Sequence, residues 1–218
     1  MLSPRLDILP SQQEKLWPEL EATPSHFTLH GGTAIALRLG HRQSIDFDFF
    51  SRQAFGPREL MESIPYLKRG TLLQSAANTL TCLVDRDGPV QLSYFGGLRI
   101  GQVAEPEQAV GPRIWIASLL DLAGLKVAVI TQRAEAKDYL DIHALLTMGR
   151  IDLPMMLAAG TAIYGETFSP LLSLKAIAYH DDAALASLPI GVKRDLIAAA
   201  RATQPNNLPL LNPVRTRL

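Results

Sequence analysis

The first half of the chain alternates short apolar runs with glycine, proline and Asp-Gly turn signals, which is typical of a sheet with flanking helices. The predicted strands are rich in β-branched and aromatic residues and cover 27–30, 45–49, 79–85, 90–95 and 113–116. The predicted helices show apolar residues at helical spacing and cover 11–20, 31–39 and 56–68. Ser11 is a candidate cap for the first helix, Gly40 a left-handed end for the second, and Asp87-Gly88 a hairpin turn.

The second half is helical in pattern. Ser118 is placed to cap a helix over 119–131, and a second helix follows over 137–148. Beyond residue 151 alanine and leucine dominate, which predicts three or four more helices, with breaks at Gly165, Pro170, Pro189 and Gly191. We therefore predict an α/β (α+β) fold, a mixed sheet flanked by helices and followed by a C-terminal helical bundle. The predicted domains are a core over 1–110, a helical domain over 111–205 and a tail over 206–218.

Composition narrows the possible functions. The 218 residues are 47% hydrophobic, and 21 Lys and Arg balance 21 Asp and Glu, so a strongly basic nucleic-acid coat protein is excluded while a local RNA-binding patch is not. Cys82 is the single cysteine, so no internal disulfide forms and a structural zinc site is not expected. We see neither a signal peptide nor an apolar run long enough for a bilayer, and we expect a cytoplasmic protein without a membrane partner.

The stretch 29–51, LHGGTAIALRLGHRQSIDFDFFS, places two acids on one predicted strand. Residues two apart on a strand share a face, so Asp46 and Asp48 lie together, whereas Ile45, Phe47 and Phe49 are expected to face the core. Two adjacent carboxylates repel each other unless a cation or a facing lysine or arginine relieves the repulsion. Mg²⁺, or Mn²⁺, suits a site with few carboxylates, because water and phosphates supply the remaining ligands.

The glycine pair at the start of the second helix fits the same interpretation. Gly31 and Gly32, followed by Thr33, would expose backbone N–H groups to an anion at the positive end of the helix dipole. Arg42 is a candidate phosphate contact, and Ser44 precedes the acids on the same predicted face. A glycine pair by itself is explained by an ordinary turn between a strand and a helix. Two acids on an exposed strand face are by themselves explained by contact with solvent. The combination predicts a triphosphate held by one element and a metal held by the other.

A second block, 121–146, carries charge within apolar surroundings: DLAGLKVAVITQRAEAKDYLDIHALL. One interpretation is structural: Lys126 pairs with Asp141 to join two helices, and Lys137 supports Asp141 from four residues away. The other is functional: Lys126 and Arg133 contact nucleotide phosphates, while Asp141 orients Lys126 or a substrate hydroxyl. Asp138 shares the Asp141 face. Both interpretations can hold together.

The first block resembles the nucleotidyltransferase signature, in which Gly-Gly or Gly-Ser precedes Asp-hydrophobic-Asp. More narrowly, residues 42–50, RQSIDFDFF, are similar to the abortive-infection AbiEii/AbiGii toxin-like nucleotidyltransferases. With the second block the resemblance covers about 25–147. It implies a nucleotidyltransferase fold with an added helical region, the toxin of a type IV-like toxin–antitoxin pair, and a cognate antitoxin as a partner. It also favours the functional interpretation of Lys126 and Asp141.

The resulting prediction is a metal-dependent transfer of a nucleoside monophosphate from an NTP to an acceptor hydroxyl, with an RNA or tRNA 3′ end as the expected acceptor. Asp46 and Asp48 would hold the metal. The fold usually supplies a third carboxylate from a neighbouring strand, where this chain offers Gln91 and Ser93, with Asp85 nearby. A catalytically degenerate nucleotide-binding module therefore stays an alternative, as does nucleotidylation of a protein or of a small molecule such as an aminoglycoside.

Overall fold

The computed structural model describes residues 1–214, and within them a mixed sheet of seven strands is accompanied by eight α-helices. The strands are β1 (Thr28–His30), β2 (Asp46–Phe50), β3 (Thr71–Ala76), β4 (Thr79–Asp85), β5 (Pro89–Phe95), β6 (Glu107–Gln108) and β7 (Trp115–Ile116). Their order across the sheet is β3-β4-β5-β2-β1-β7-β6. The β2–β5 and β1–β7 pairs are parallel and the other neighbours are antiparallel. The predicted mixed-sheet α/β fold is confirmed.

The helices divide between the two halves of the sequence as predicted. Those of the first half are α1 (Ser11–Leu16), α2 (Gly31–Leu39) and α3 (Pro57–Ser63). Those of the second half are α4 (Leu119–Val129), α5 (Ala136–Thr147), α6 (Leu153–Tyr164), α7 (Pro170–Ala178) and α8 (Ile190–Ala202). In residues 1–214 no helix has the length and apolar character needed to cross a membrane.

Two compact units make up the described chain. The first contains Met1–Arg99 and Pro106–Ala117, and with them the whole sheet. The second contains Ile100–Glu105 and residues 118–214, with helices α4 to α8. The predicted domain limits at 110 and 205 stay a prediction. The predicted tail over 206–218 has no helix or strand up to residue 214, and residues 215–218 lie outside the described part.

One face of the central strands forms the core of the first unit. Phe47 and Phe49 on β2 are fully buried, next to the equally buried Leu92 and Tyr94 of β5. The rings of Phe49 and Tyr94 are stacked with their centroids 5.2 Å apart. Ile45 was expected on this face, but it precedes β2 and is 61% exposed, so that prediction is wrong. The opposite face of β2 carries Asp46 and Asp48, with Phe50 at its end.

Local signals explain where the predicted elements failed. Ser11 does not cap α1, because it is already the first helical residue and Pro10 occupies the cap position. The chain tightens into a 3₁₀ helix from Trp17 to Ala22, where Pro18 removes a backbone donor. Strand β3 was missed because all six of its residues are exposed and carry no alternation. Gly191 lies inside α8 and does not break a helix.

The second unit confirms the predicted cap at residue 118. The Ser118 hydroxyl oxygen accepts a hydrogen bond from the Asp121 backbone N–H at 3.0 Å and donates to Asp121 Oδ2 at 2.5 Å. Asp121 is buried and accepts two more bonds, from the N–H groups of Val103 at 2.8 Å and Ala104 at 3.1 Å. Burial raises the pKa of the Asp121 carboxyl despite the three hydrogen bonds that its oxygens accept. One carboxylate thus fixes the 100–105 segment to the start of α4.

Candidate active site

The acids of β2 lie opposite the glycine turn that starts α2. Strand β1 pairs antiparallel with β2, and the register sets His30 directly across from Asp48. The next residue after His30 is Gly31, the first residue of α2. Asp46 and Asp48 are half-buried on the polar face, two residues apart. The strand pairing therefore brings the predicted metal-binding acids to the predicted phosphate-binding turn.

Gly31 and Asp48 are in such close contact that a side chain at position 31 would displace the Asp48 carboxylate. A Cβ atom built on Gly31 would lie 2.5 Å from Asp48 Oδ2. Gly31 also has a φ of +72°, a conformation that L residues adopt at a cost. Glycine is thus favoured at this position for two reasons, the backbone conformation and the space beside Asp48. The Asp48 carboxylate lies against the bare Cα at the beginning of the helix.

The second glycine is enclosed by the two other predicted ligands of the nucleotide. A Cβ on Gly32 would collide with Nη2 of Arg42 and would lie 3.3 Å from Oγ of Ser44. The Arg42 guanidinium is held in part by its own loop, because Nη1 donates to the Gln43 carbonyl at 2.8 Å. Gly32, Arg42 and Ser44 are therefore neighbours, although Arg42 and Ser44 come ten and twelve positions after the glycine in the sequence.

The Thr33 side chain is buried and contacts other residues of the protein rather than solvent. Its side chain is 1% exposed, and its hydroxyl lies 2.8 Å from Ser44 Oγ and also contacts the backbone carbonyl of Asp46. These contacts fasten the first turn of α2 to the beginning of β2. The backbone N–H of Thr33, rather than its hydroxyl, is the group left for the predicted contact with phosphate.

The neighbouring strand supplies neutral residues beside both acids. The parallel register of β2 and β5 pairs Asp46 with Gln91 and Asp48 with Ser93. Ser93 is buried, and its Oγ accepts a hydrogen bond from Thr81 at 3.3 Å. Asp85 lies at the hairpin end of β4, where its carboxylate accepts the Gly88 N–H at 2.9 Å. Across residues 1–214, no three His, Cys, Asp or Glu side chains form a group able to hold a metal ion.

His30 is a residue that the predicted site did not include. Its ring stacks on Phe50 with centroids 4.6 Å apart and planes inclined by 16°. Its Nδ1 atom is buried and has no hydrogen-bond partner among the described residues. Burial lowers the pKa of His30 to about 3, so the ring is neutral at physiological pH. The only signal in the sequence was its position directly before the glycine pair.

The second predicted block forms a compact ion cluster within the second unit. Nζ of Lys126, on α4, lies 2.6 Å from Asp138 Oδ1 and 2.8 Å from Asp141 Oδ2, both on α5. The Lys126 side chain is 9% exposed and both carboxylates are fully buried. Arg133, in the loop between the helices, adds a bond from Nε to Asp138 Oδ2 at 2.9 Å. Lys126 therefore joins the two helices, as the structural interpretation predicted.

Asp138 is the common partner of both cations, although the sequence interpretation emphasised Asp141. Burial alone would raise the pKa of the Asp138 carboxyl, but the hydrogen bond from Arg133 and the charge of Lys126 outweigh it and lower the pKa. Lys137 pairs with Glu135 at 2.9 Å, and its predicted support of Asp141 stays a prediction. The i, i+3 spacing of the two aspartates was the available signal for Asp138.

Comparison with known proteins shows which family the chain belongs to. The sequence model described as "Nucleotidyl transferase AbiEii toxin, Type IV TA system" matches residues 19–212. The chain belongs to the AbiEii nucleotidyl transferase toxin family. An uncharacterised protein from Aquifex aeolicus (strain VF5) is 31% identical to this AbiEii family member over 159 residues, which are 72% of this chain and 75% of the relative. The predicted resemblance to this family is confirmed.

Solved structures share the fold of this AbiEii family member. MenT4, a nucleotidyltransferase toxin from Mycobacterium tuberculosis, aligns with a TM-score of 0.59 and 16% identity over 89% of this chain and 83% of its own. A putative nucleotidyltransferase from H. pylori aligns with a TM-score of 0.55 and 18% identity, over 87% of this chain and 92% of its own. A nucleotidyltransferase-like protein from Paracoccidioides brasiliensis aligns with a TM-score of 0.54 and 15% identity, over 89% of this chain and 94% of its own. With the family match, they support the prediction of a nucleotidyltransferase.

Proposed function

We propose that this family member transfers a nucleoside monophosphate from an NTP to an acceptor hydroxyl, in a reaction that needs a divalent cation. The contact of the Asp48 carboxylate with Gly31 carries the proposal, because it joins an acidic strand to a helix N-terminus at one point. A helix N-terminus attracts phosphate, and a pair of acids attracts a cation that phosphate also binds. An NTP with its cation is a ligand that satisfies both.

The residues present fit Mg²⁺ or Mn²⁺ bound together with a triphosphate. Asp46 and Asp48 offer hard oxygen donors on one strand face, and Ser93 and Gln91 beside them add only neutral oxygens. Such a set leaves several coordination positions for water and phosphate oxygens. When bound there, the cation would offset phosphate charge and orient the α-phosphate for in-line attack.

The other predicted residues of the first unit would bind the phosphates. The N–H groups of Gly31, Gly32 and Thr33 begin α2 and would donate to β- and γ-phosphate oxygens. Arg42 would add a charged donor at the same turn, where its Nη2 already lies over Gly32. In the reaction, the acceptor oxygen bonds to the α-phosphorus and its hydroxyl proton is released to solvent. The bond from the α-phosphorus to the bridging oxygen breaks, and pyrophosphate leaves.

The roles of Lys126, Arg133 and Asp141 in contacting phosphate or orienting a hydroxyl are part of this proposal. Their ion cluster holds Lys126 between two carboxylates and places Arg133 beside one of them. A fixed cation stabilises developing phosphate charge better than a mobile one, because it needs no reorganisation during the reaction.

We propose an RNA 3′ end, in particular that of tRNA, as the acceptor, and a cognate antitoxin as the protein partner. Membership of a toxin family supports both choices. The test is incubation of the purified protein with each α-³²P-labelled NTP, total RNA and Mg²⁺, followed by gel separation of RNA, protein and small-molecule products. We expect label in RNA, and none when EDTA is present. Label in protein or in a small molecule would refute the RNA acceptor but not the transfer reaction.

Variants test the assigned acids. Asp46→Asn and Asp48→Asn should reduce transfer at least 100-fold while the fold is retained, and Asp48→Ala should abolish growth arrest on overproduction. Asp85→Asn is the matched control, because the Asp85 carboxylate belongs to the hairpin and its loss should leave transfer unchanged. Growth arrest that persists in Asp48→Ala would show that the acids are wrongly assigned.

One observation favours a second candidate, a nucleotide-binding module without chemistry. The strand position where the family resemblance implies a third acid is neutral here, at Gln91 and Ser93. Equilibrium binding of NTP with Mg²⁺, measured on the same sample as the transfer assay, separates the two candidates. Binding without transfer to any acceptor would support the module.

A further inference from the structure

The strand next to the paired acids determines how much negative charge the candidate site contains. Gln91 lies beside Asp46 and Ser93 beside Asp48, and neighbours in register point to the same face of a sheet. Neighbouring strands are about 4.8 Å apart. An acid at either β5 position would therefore lie close enough to share a cation with its β2 neighbour. Both positions are neutral in this chain.

Two carboxylates balance the charge of a single divalent cation. A pair of cations, typically about 3.5–4 Å apart, needs a ligand that bridges or encloses the second ion. In the part of the chain that the structure describes, no third acidic, His or Cys side chain joins Asp46 and Asp48 to form such a group. A second divalent cation would leave the protein side of the site with two uncompensated positive charges.

We infer that Gln91 and Ser93 restrict this site to one divalent cation, where an acid at either position would admit a pair. The inference rests on the proposed function, because it concerns the cation that Asp46 and Asp48 would hold. It assigns a role to two β5 residues that bear no charge: they set the metal stoichiometry. The acceptor hydroxyl is then left to the protein's own groups for activation.

The test adds the absent charge and counts the metal. Gln91→Glu is nearly isosteric and half-buried, so it changes charge with little change in volume. Ser93→Asp places an acid at the buried position beside Asp48. Gln74→Glu, on the fully exposed strand β3, is the matched control for the added charge. Each protein is titrated with Mn²⁺ without nucleotide, with free Mn²⁺ followed by electron paramagnetic resonance.

We expect one bound Mn²⁺ in the unsubstituted chain and in Gln74→Glu, and two in Gln91→Glu or Ser93→Asp. The pair should also give the spin-coupled signal of two nearby Mn²⁺ ions. Two ions in the unsubstituted chain, or one ion in both β5 variants with native circular dichroism, would overturn the inference while leaving the proposed function intact. Absence of Mn²⁺ binding in the unsubstituted chain, together with absence of NTP binding, would refute the proposed function and the inference with it.

Discussion

Replacement of Gly31 by alanine separates the function of the glycine turn from its contribution to stability. At a φ of +72° any residue with a Cβ is strained, at a cost of about 1–3 kcal/mol. The new Cβ would also lie 2.5 Å from Asp48 Oδ2, about 1 Å closer than an ordinary contact, so the carboxylate must move. A displacement of 1 Å in a catalytic group can lower the rate about 100-fold. We therefore expect a modest loss of stability and a large loss of transfer.

Gly165→Ala is the control that isolates backbone strain. Gly165 also has a left-handed φ, +59°, but a Cβ built there meets no atom within 4 Å. Urea denaturation should show comparable losses in the free energy of unfolding for both variants, about 1–3 kcal/mol. Labelled-NTP transfer and Mn²⁺ titration should show a defect in Gly31→Ala only. If Gly31→Ala binds Mn²⁺ and transfers label as Gly165→Ala does, the Gly31–Asp48 contact is not part of the site.

Three further substitutions test the supporting contacts, each by urea denaturation. Ser118→Ala should cost at least about 1 kcal/mol, because α4 loses its cap and Asp121 loses two contacts. Thr33→Val should cost about 1–2 kcal/mol and lower transfer, because the Asp46 carbonyl loses the hydrogen bond from the Thr33 hydroxyl. Asp138→Asn should cost about 3 kcal/mol at pH 7, because it breaks a buried ion cluster. The Asp138 carboxyl has a lowered pKa, so its contribution is complete above about pH 4 and is lost as the pH falls below its ordinary value of 3.8.

Matched controls accompany these substitutions. Ser169→Ala removes a longer cap contact, 3.4 Å to the Leu172 N–H, and should cost less than Ser118→Ala. Glu135→Gln removes a carboxylate that is 40% exposed and pairs at the surface, so it should cost under about 1 kcal/mol. An unfolding free energy of Asp138→Asn that matches Glu135→Gln at pH 7, or acid sensitivity identical to that of the unsubstituted chain, would contradict the buried-cluster explanation.

Local chemistry made part of the fold predictable. The bounds of α2 follow from glycines at both ends, and Gly40 does adopt the left-handed conformation, with φ 70°. The hairpin follows from Asp87 and Gly88, which both have positive φ. The parallel pairing of β2 with β5 could not be predicted in register, because it joins distant segments through backbone hydrogen bonds that leave no mark on the sequence. The contact of Gly31 with Asp48 follows from strand pairing and required the structure.

The ion cluster shows how two interpretations of one block can both be retained. Its two buried carboxylates are balanced by Lys126 and Arg133, so the cluster is electrically neutral without any ligand. A phosphate that drew Lys126 away would leave the carboxylates of Asp138 and Asp141 buried with less positive charge to balance them. This cost favours an orienting role for Lys126, in which the lysine stays between the two aspartates. Arg133 is different, because its side chain is 45% exposed while Nε holds Asp138. Of the two predicted phosphate contacts, Arg133 is therefore the one that can add an anion at the lower cost in stability.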